Sequence, residues 1–353
     1  MLQKDEIKRY NRQIILPELG IAGQEKLKAA RVLMIGAGGL GCPVLQYLAA
    51  AGAGTLGIID NDVVSESNLH RQILYTGADV GQNKAIVAKN KLCALNPFIN
   101  INAYTERFTA EVSGQLLNQY DLVIDGSDNF PTRYLVNDAC IYFNKPLVFG
   151  SIYKFEGQVS VFNYLNGPNY RDLFPEPPAA EEVPNCAEIG VIGVIAGLVG
   201  LHMANEAIKI ITGIGETLSG KLMIYDALNS AVNYFKIAGS GSRVQKPVPQ
   251  NKEDLRPGEI ANEITLADFL LWQQQAPDEV FLVDVREPYE YEDYNIGGLN
   301  ISLYELTENV AVLPEGKTLV FCCQSGQRSK MAIHMLSPLF KGKMLSMKGG
   351  LYE

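Results

Sequence analysis

The sequence predicts an α/β protein in which a doubly wound parallel sheet is followed by a smaller α/β unit. Strand and helix patterns alternate from Arg31 onward, and a glycine-rich turn follows the first strand. A stretch rich in Gly, Ser, Pro and charge at 238–258 has the composition of a linker. With 353 residues, two domains are the natural expectation. We therefore expect domains at 1–237 and 259–353.

Short apolar runs predict five buried strands in the first domain, with helical stretches between most of them. The predicted strands are 31–35, 55–59, 100–104, 122–124 and 147–149. Alternating patterns predict antiparallel strands at 158–164 and 221–226, and the proline-rich segment 163–185 reads as a long irregular loop. The apolar run 189–203 is shorter than the ~20 residues of a membrane span and predicts a buried or interface helix. In the second domain, strands are predicted at 280–283 and 318–322.

The glycine-rich turn predicts a Rossmann-like nucleotide site. Gly36, Gly38 and Gly41 have G-x-G-x-x-G spacing directly after the first strand, and the predicted helix 42–51 follows. Such a turn lets a phosphate approach the backbone and the helix N-terminus. Asp60 ends the second strand, where a partner for ribose hydroxyls is expected. The motif does not choose between a dinucleotide and ATP.

Composition narrows the range of partners and the compartment. The net charge is −9 and there is no basic block, so neither nucleic acid nor an anionic membrane is an expected partner. The charged N-terminus has no secretory signal pattern. The six cysteines form no C-x-x-C pair, which argues against a disulfide framework or a four-thiolate zinc site. We therefore expect a cytoplasmic protein with reduced thiols.

Four polar segments add charge near the glycine turn. They read RYNRQ at 9–13, SNLHRQ at 67–72, GQNK at 81–84 and DGSDN at 125–129. Taken singly, their cations could be surface charges, and Asp128 could be a helix cap. Together they place cations and a carboxylate around a phosphate turn, which nucleotidyl transfer and Mg²⁺ binding require.

These motifs, with the glycine turn and Asp60, resemble the MoeB/ThiF family of ubiquitin-activating-type enzymes over 7–236. The resemblance implies adenylylation with ATP and Mg²⁺ of a β-grasp sulfur carrier that ends in Gly-Gly. It implies a homodimer in which Arg12 reaches the ATP of the other subunit, and Asp128 as the Mg²⁺ ligand. Beside Gly36, Gly38 and Gly41, the ATP site would comprise Gly39, Asp60, Ser67, Asn68, Leu69, His70, Arg71, Lys84, Asp128 and Asn129.

The sequence departs from that family in one respect, and it leaves the role of one cysteine open. Most members bind zinc through two C-x-x-C pairs, but this chain has NYRD at 169–172 and AGSGSRVQ at 238–245. We therefore predict no structural zinc, with the loop held by packing or by its partner. Cys186 stands where the family often has a thiol on the crossover loop. It is either a small buried residue or a covalent participant whose pKa a helix start near Glu188 would lower.

The second domain carries a cysteine loop between a strand and a helix predicted to begin near Ser329. Backbone N–H groups of such a loop would stabilise a thiolate, and Arg328 adds positive charge. Counted from Cys323 the pattern is Cys-x-x-Gly-x-Arg-Ser, whereas from Cys322 it is the Cys-x5-Arg spacing of cysteine phosphatases. That second pattern usually has Gly where Ser325 stands. The predicted thiolate loop is Cys323, Gln324, Ser325, Gly326, Gln327 and Arg328.

The count from Cys323 resembles the rhodanese sulfurtransferases, as do LVDVRE at 282–287 and KGG at 348–350. This resemblance covers 261–353. One departure is Asn295, where a His commonly stands.

Both resemblances together imply one reaction sequence. The first domain would adenylylate the carrier's C-terminal glycine, and a persulfide on Cys323 would convert the product to a thiocarboxylate, with Cys186 as a candidate resolving thiol. Molybdopterin, thiamine and tRNA thiolation pathways all fit, with a cysteine desulfurase or thiosulfate as sulfur donor. The alternatives are an NAD(P)-dependent oxidoreductase, for which no nicotinamide-side acid or base is visible, and a non-catalytic binding module of the same superfamily.

Overall fold

The computed structural model describes residues 1–178, 190–239, 263–303, 305–324 and 326–351. Its contacts divide the chain into two units, Met1–Asp254 and Leu255–Glu353. The expected linker at 238–258 lies almost entirely outside the described residues, so its limits stay a prediction.

An eight-stranded sheet forms the centre of the first unit, in the order β3-β2-β1-β4-β5-β6-β7-β8. The first five strands in this order are parallel, and β6, β7 and β8 are antiparallel. The predicted doubly wound sheet is confirmed. The strands are β1 (Arg31–Ile35), β2 (Thr55–Ile59), β3 (Asn100–Tyr104), β4 (Leu122–Asp125), β5 (Leu147–Tyr153), β6 (Glu156–Phe162), β7 (Lys221–Asp226) and β8 (Ala231–Lys236).

Four of these strands differ from the prediction: β4 is one residue longer, β6 lies at 156–162 rather than 158–164, and β5 and β8 differ more. Strand β5 runs four residues further than expected, because a tight turn with Lys154 at φ 53° pairs it with β6 along its full length. Strand β8, AVNYFK, lacks a buried side chain, and its apolar residues do not alternate with polar ones, so no half-buried strand pattern marks it in the sequence. Its position is determined by pairing with β7.

Helices cover both faces of this sheet. Alternate residues of β1 supply two separate cores: Val32 and Met34 face one, and Leu33 and Ile35 face the other. The parallel strands are therefore buried on both sides, as their continuous apolar runs predict. The helices are α1 (Lys4–Ile14), α2 (Gly20–Ala29), α3 (Gly41–Ala51), α4 (Lys84–Leu95), α5 (Ala110–Leu116), α6 (Phe130–Tyr142), α7 (Tyr170–Leu173) and α8 (Gly193–Thr212).

The apolar helix expected at 189–203 is present as α8, but it runs from Gly193 to Thr212. By length and composition alone it is the one described helix that would suffice to cross a membrane. Its inner face, however, is part of the core. Gly200 permits close packing on α3, because a Cβ there would lie 2.4 Å from the Pro43 side chain. The same test at Gly197 finds no atom within 4 Å, so the close approach to α3 is limited to part of α8.

The segment expected to be wholly irregular contains helix α7. Asn169 caps this helix, and Asp172 accepts a hydrogen bond from the Asn169 backbone at 2.8 Å. Tyr170 is 1% exposed and stacks among aromatic rings that include Phe149 and Phe162. Arg171 donates two hydrogen bonds of 2.7 Å to Asp138 on α6. Packing and an ion pair thus hold residues 169–172, where the resemblance to the MoeB/ThiF family would place the first cysteine pair.

The second unit contains a five-stranded parallel sheet in the order β11-β10-β12-β13-β9. Both predicted strands are present, and the helix after the cysteine loop begins at Gln327 rather than near Ser329. The elements are β9 (Glu263–Ile264), α9 (Leu266–Gln275), β10 (Val280–Asp284), α10 (Pro288–Asp293), β11 (Leu299–Asn300), β12 (Thr318–Cys322), α11 (Gln327–Leu336) and β13 (Met344–Met347).

Candidate active sites

The first site is formed where the carboxyl ends of β1, β2 and β4 meet. The Gly36 N–H donates to the Ile59 carbonyl at 2.9 Å, and the Gly126 N–H donates to the Ile35 carbonyl at 2.9 Å. These bonds hold the glycine turn between the two neighbouring strand ends. Ligands of open α/β sheets bind at this edge.

Small residues are required in this turn for steric reasons. Gly36 has φ 86°, a conformation that favours glycine. A Cβ at Gly41 would lie 2.1 Å from the Gly36 carbonyl oxygen. The turn therefore presents bare backbone, and helix α3 begins within it. This geometry suits a phosphate.

Asp60 follows β2 and is tied to the turn by its carboxylate. One oxygen accepts from the Ala37 N–H at 2.7 Å, and the other accepts from the Asp62 N–H at 2.8 Å. Burial raises the pKa of Asp60, while the charge of Lys84 opposes this shift. Each carboxylate oxygen keeps acceptor capacity that hydroxyl groups of a ribose can use.

The segment 67–71 lies across the turn. A Cβ at Gly39 would lie 3.6 Å from the Arg71 side chain. The Arg71 guanidinium donates to the Ser67 carbonyl at 3.2 Å, and His70 Nδ1 lies 3.0 Å from the same oxygen. Within the segment 67–71, Asn68 and Leu69 are half-buried, whereas Ser67 and His70 are exposed.

Two supporting residues of this site were not predicted. The Tyr75 hydroxyl donates a hydrogen bond to the Ala37 carbonyl at 2.8 Å and so supports the glycine turn. Gln72 is 4% exposed, and its amide nitrogen lies 3.5 Å from a Cβ built at Gly38. Its amide oxygen is buried without a hydrogen-bond partner in the described structure. The sequence indicated that Gln72 belongs to the site only through its position directly after Arg71.

Lys84 begins α4, where Asn83 caps the helix. Its side chain is buried, and Nζ bonds to the Asp62 carboxylate at 3.0 Å. That carboxylate is 62% exposed, so water screens the pair. A phosphate that enters the turn can therefore compete for this cation.

Asp128 and Asn129 follow β4. Asn129 caps α6 by accepting from the Thr132 N–H at 3.0 Å, so the cap is Asn129 and not Asp128. The Asp128 carboxylate is exposed, within 3.5 Å of the Asn129 amide. Buried Asp125 shapes the loop by accepting from the Ser127 N–H at 2.9 Å.

The residues present fit ATP and Mg²⁺. The bare glycine turn suits phosphates, Asp60 suits a ribose, and the buried Gln72 amide oxygen has capacity for a donor. The exposed Asp128 carboxylate is a suitable oxygen ligand for Mg²⁺. Within the described residues, no group of three or more His, Cys, Asp or Glu could hold a metal ion. The prediction of no zinc site stays a prediction.

Two predicted residues stand apart from this cluster. Arg12 lies in the last turn of α1 with an exposed side chain. No described contact joins it to the glycine turn. Cys186 lies outside the described residues.

The second site is the loop between β12 and α11. Cys323 directly follows β12 and is buried, and its carbonyl accepts from the Leu351 N–H at 2.9 Å. Gly326 has φ 83°, and a Cβ there would lie 3.3 Å from the Gly349 nitrogen. The closing KGG segment therefore packs against the loop. Ser325 and the side chain of Gln327 lie outside the described part, and Gln324 is exposed.

The two adjacent cysteines face opposite sides of the sheet. Cys322 packs with Phe269 and Met347, where burial and the Asp284 carboxylate raise its pKa. Cys323 belongs to the other core, and its Sγ lies 3.8 Å from the Ser329 hydroxyl at the start of α11. The described geometry thus supports the motif spacing counted from Cys323. Of the two thiols, only that of Cys323 lies on the face of the sheet that α11 covers.

Arg328 is bound by a carboxylate that the sequence analysis did not consider. Its two terminal nitrogens donate to the two carboxylate oxygens of Glu290 on α10, at 2.6 and 2.7 Å. Burial raises the pKa of Glu290, but its bonds to Arg328 outweigh burial and lower the pKa overall. The loop cation is therefore paired rather than available.

A nucleotide-type turn in one unit and a cysteine loop in the other define an enzyme with two chemical steps. Family models agree with this division: the ThiF family model matches residues 10–245, and the Rhodanese-like domain model matches residues 267–353. The chain belongs to the ThiF family and carries a C-terminal rhodanese-like domain.

Two curated relatives match nearly the whole chain, and a third matches about two thirds of it. The chain is 43% identical to the probable adenylyltransferase/sulfurtransferase MoeZ of Mycobacterium tuberculosis, across 99% of this chain and 93% of that protein. It is 38% identical to the adenylyltransferase and sulfurtransferase MOCS3 of Anopheles gambiae, across 99% of this chain and 87% of that protein. The sulfur carrier protein adenylyltransferase of Thermus thermophilus is 56% identical across 65% of this chain and 86% of that protein. The chain is thus an enzyme of the nucleotidyltransferase and sulfurtransferase class.

Solved structures support the fold of the first unit. The crystal structure of E. coli MccB with ATP has a TM-score of 0.58 and 23% identity, and it covers 66% of this chain and 72% of that chain. The crystal structure of PaaA has a TM-score of 0.58 and 24% identity, with 67% and 75% covered. At these identities the likeness supports the Rossmann-like fold alone.

Proposed function

We propose that this enzyme adenylylates the C-terminal glycine of a ubiquitin-like sulfur carrier and then converts it to a thiocarboxylate. The observation that carries the first step is the convergence of Asp60, Arg71 and Gly126 on the glycine turn. The relative named sulfur carrier protein adenylyltransferase supports the substrate class. Relatives named MoeZ and MOCS3 support a second, sulfur-transferring step.

In the first step, the carrier's terminal carboxylate oxygen attacks the α-phosphorus of ATP. The bond between the α-phosphorus and the bridging oxygen breaks, pyrophosphate leaves, and an acyl-adenylate forms. The glycine turn and the N-terminus of α3 hold phosphates, and Arg71 and Lys84 offset the growing negative charge. Asp60 orients the ribose. Asp128 would hold Mg²⁺, which when bound neutralises phosphate charge.

In the second step, the outer sulfur of a Cys323 persulfide attacks the acyl carbon and AMP leaves. The product is an acyl disulfide between the carrier and Cys323. A thiolate must then attack the Cys323 sulfur, so that the carrier leaves as a thiocarboxylate and a new disulfide forms. Cys186 is our candidate for this thiolate, and an external dithiol would reduce the resulting disulfide.

We further propose that the active form is a homodimer. Arg12 is exposed and has no described contact with its own glycine turn, which suits an arginine that serves a neighbouring subunit. Apolar side chains that suit an interface are exposed on the same unit, including Ile15 at 57% and Val194 at 59%.

The decisive experiment is ATP–pyrophosphate exchange with purified β-grasp carriers, followed by mass spectrometry of the carrier. Exchange that requires an intact Gly-Gly terminus supports the first step. Conversion of that carrier to a thiocarboxylate upon addition of a sulfur donor supports the second step. Carriers from molybdopterin, thiamine and tRNA thiolation pathways distinguish the pathway. A chain that catalyses no exchange with any carrier would contradict the proposal.

A further inference from the structure

The cysteine loop carries a cation whose charge is cancelled. Arg328 uses both terminal nitrogens on Glu290, and the side chains of this pair are only 24% and 18% exposed. A bidentate pair of this kind is strong and directional. The next cation along α11, Lys330, is also paired, with Glu263 at 2.7 Å.

This pairing has two consequences for anions at the loop. Two of the five N–H donors of Arg328 already bond to Glu290, so an oxyanion can use only the remaining N–H groups of a guanidinium whose charge a carboxylate neutralises. The net charge of the pair is zero, and the Glu290 carboxylate itself repels a dianion. The Ser329 hydroxyl, 3.8 Å from the Cys323 sulfur, is a donor that a singly charged sulfur can still use.

From this geometry we infer that Glu290 is a specificity-determining residue, which makes the loop select persulfide sulfur over small dianionic donors such as thiosulfate. The inference rests on the proposed sulfur transfer at Cys323. With thiosulfate, the Cys323 thiolate bonds to the outer sulfur, the S–S bond breaks, and sulfite leaves with the electron pair. With a persulfide, the same attack releases a thiolate.

The test compares the full-length wild type with Glu290→Gln, which keeps the shape and one hydrogen-bond acceptor but removes the charge. Glu292→Gln is the matched control, because that residue lies on the same helix and is exposed. Each protein is assayed with thiosulfate and cyanide, and by mass spectrometry for Cys323 loading from the persulfide of N-acetylcysteine amide. That donor carries no charge other than its sulfur.

We expect Glu290→Gln to raise kcat/KM for thiosulfate about five- to tenfold, mainly through KM, as removal of one charge beside a dianion predicts. Loading from the persulfide should stay within about twofold, and Glu292→Gln should resemble the wild type. An unchanged or lower kcat/KM for thiosulfate in Glu290→Gln would overturn the inference. The lower value would mean that Glu290 orients Arg328 for anion binding.

A second measurement does not depend on how the variant folds. Because the pair is neutral, thiosulfate kcat/KM of the wild type should change less than about twofold between low and physiological salt. A steep fall with salt would show an available cation and contradict the inference. Failure of the proposed function has a different signature: a folded wild type that takes sulfur from neither donor.

Discussion

Each candidate site contains a cation paired with a carboxylate, but the two pairs differ in exposure. Lys84 donates to Asp62, whose carboxylate is 62% exposed, whereas Arg328 makes a two-pronged pair with Glu290, which is 18% exposed. Lys84 itself is buried, at 7% exposed, but its partner carboxylate is largely solvated, so water weakens this pair and the carboxylate can be exchanged for a substrate group. A largely buried bidentate pair does not exchange partners readily. The nucleotide site therefore keeps its cation available to a substrate. In the sulfur-transfer loop, by contrast, the Glu290 carboxylate neutralises the charge of Arg328.

The sites also differ in how they are assembled. The first draws on the ends of three strands and on segments from Gly36 to Asn129. The second is a single loop and the first turn of one helix, supported by Glu290 and the KGG segment. A site assembled from many segments depends on the whole unit, whereas a local loop depends on a few neighbours. The following predictions test these differences.

The largest expected effect separates the two steps. Cys323→Ala should abolish formation of the carrier thiocarboxylate, because the nucleophilic sulfur is lost. It should leave ATP–pyrophosphate exchange unchanged, since adenylation requires only the first unit. Mass spectrometry of the carrier after incubation with ATP and a sulfur donor measures the first effect.

The matched control is Cys322→Ala, whose thiol faces the other core. This variant should retain most thiocarboxylate formation. If Cys322→Ala abolished transfer and Cys323→Ala did not, the assignment would reverse and the phosphatase-type spacing would be favoured.

The next prediction concerns the multi-segment site. Asp128→Ala should reduce exchange on the order of 10²- to 10³-fold, because the proposed Mg²⁺ ligand and its charge are lost. Arg12→Ala should also be strongly impaired. Glu106→Ala, an exposed carboxylate on the same unit, is the control and should remain active.

Mixing the two inactive variants tests whether Arg12 acts across a dimer. A mixed dimer would contain one site with both changes and one site with neither. Random exchange of subunits should therefore restore about a quarter of wild-type activity. No recovery in a verified mixed dimer would contradict the cross-subunit role.

An intermediate effect is expected at residues 169–172, where the family resemblance would place a zinc-binding cysteine pair. Tyr170→Ala should lower the stability of the first unit by about 3 kcal/mol, because it removes a ring packed among other rings. A chelator should not change the melting temperature of the wild type. Stoichiometric zinc in untagged protein would show that a metal, and not packing alone, holds this region.

The smallest effect is expected for Asp62→Asn. Because the Asp62 carboxylate is 62% exposed and water screens its pair with Lys84, KM for ATP should change less than about threefold. Lys84→Met, by contrast, should impair exchange strongly. A large effect of Asp62→Asn would mean that Asp62 positions Lys84, and the contrast with Glu290 would disappear.

Local patterns in the sequence determined much of this protein. The G-x-G-x-x-G spacing predicted the turn at Gly36, and continuous apolar runs predicted the parallel strands, because strand and turn preferences depend on neighbouring residues. The position of Gly326 relative to Cys323 likewise selected one of two adjacent cysteines. Alternation along a strand explains why the structure places them on opposite faces.

Only the tertiary structure decided features that join distant segments. Strand β8 has no buried side chain, so its pairing with β7 left no half-buried strand pattern in the sequence. Tyr170 joins rings from two strands, and Gln72 lies against the glycine turn from another segment. Glu290 is 38 residues from Arg328, and their pairing reverses the expectation of an available cation. Charge and burial at a site depend on which segments meet in space, and that is set by the packing of the whole unit.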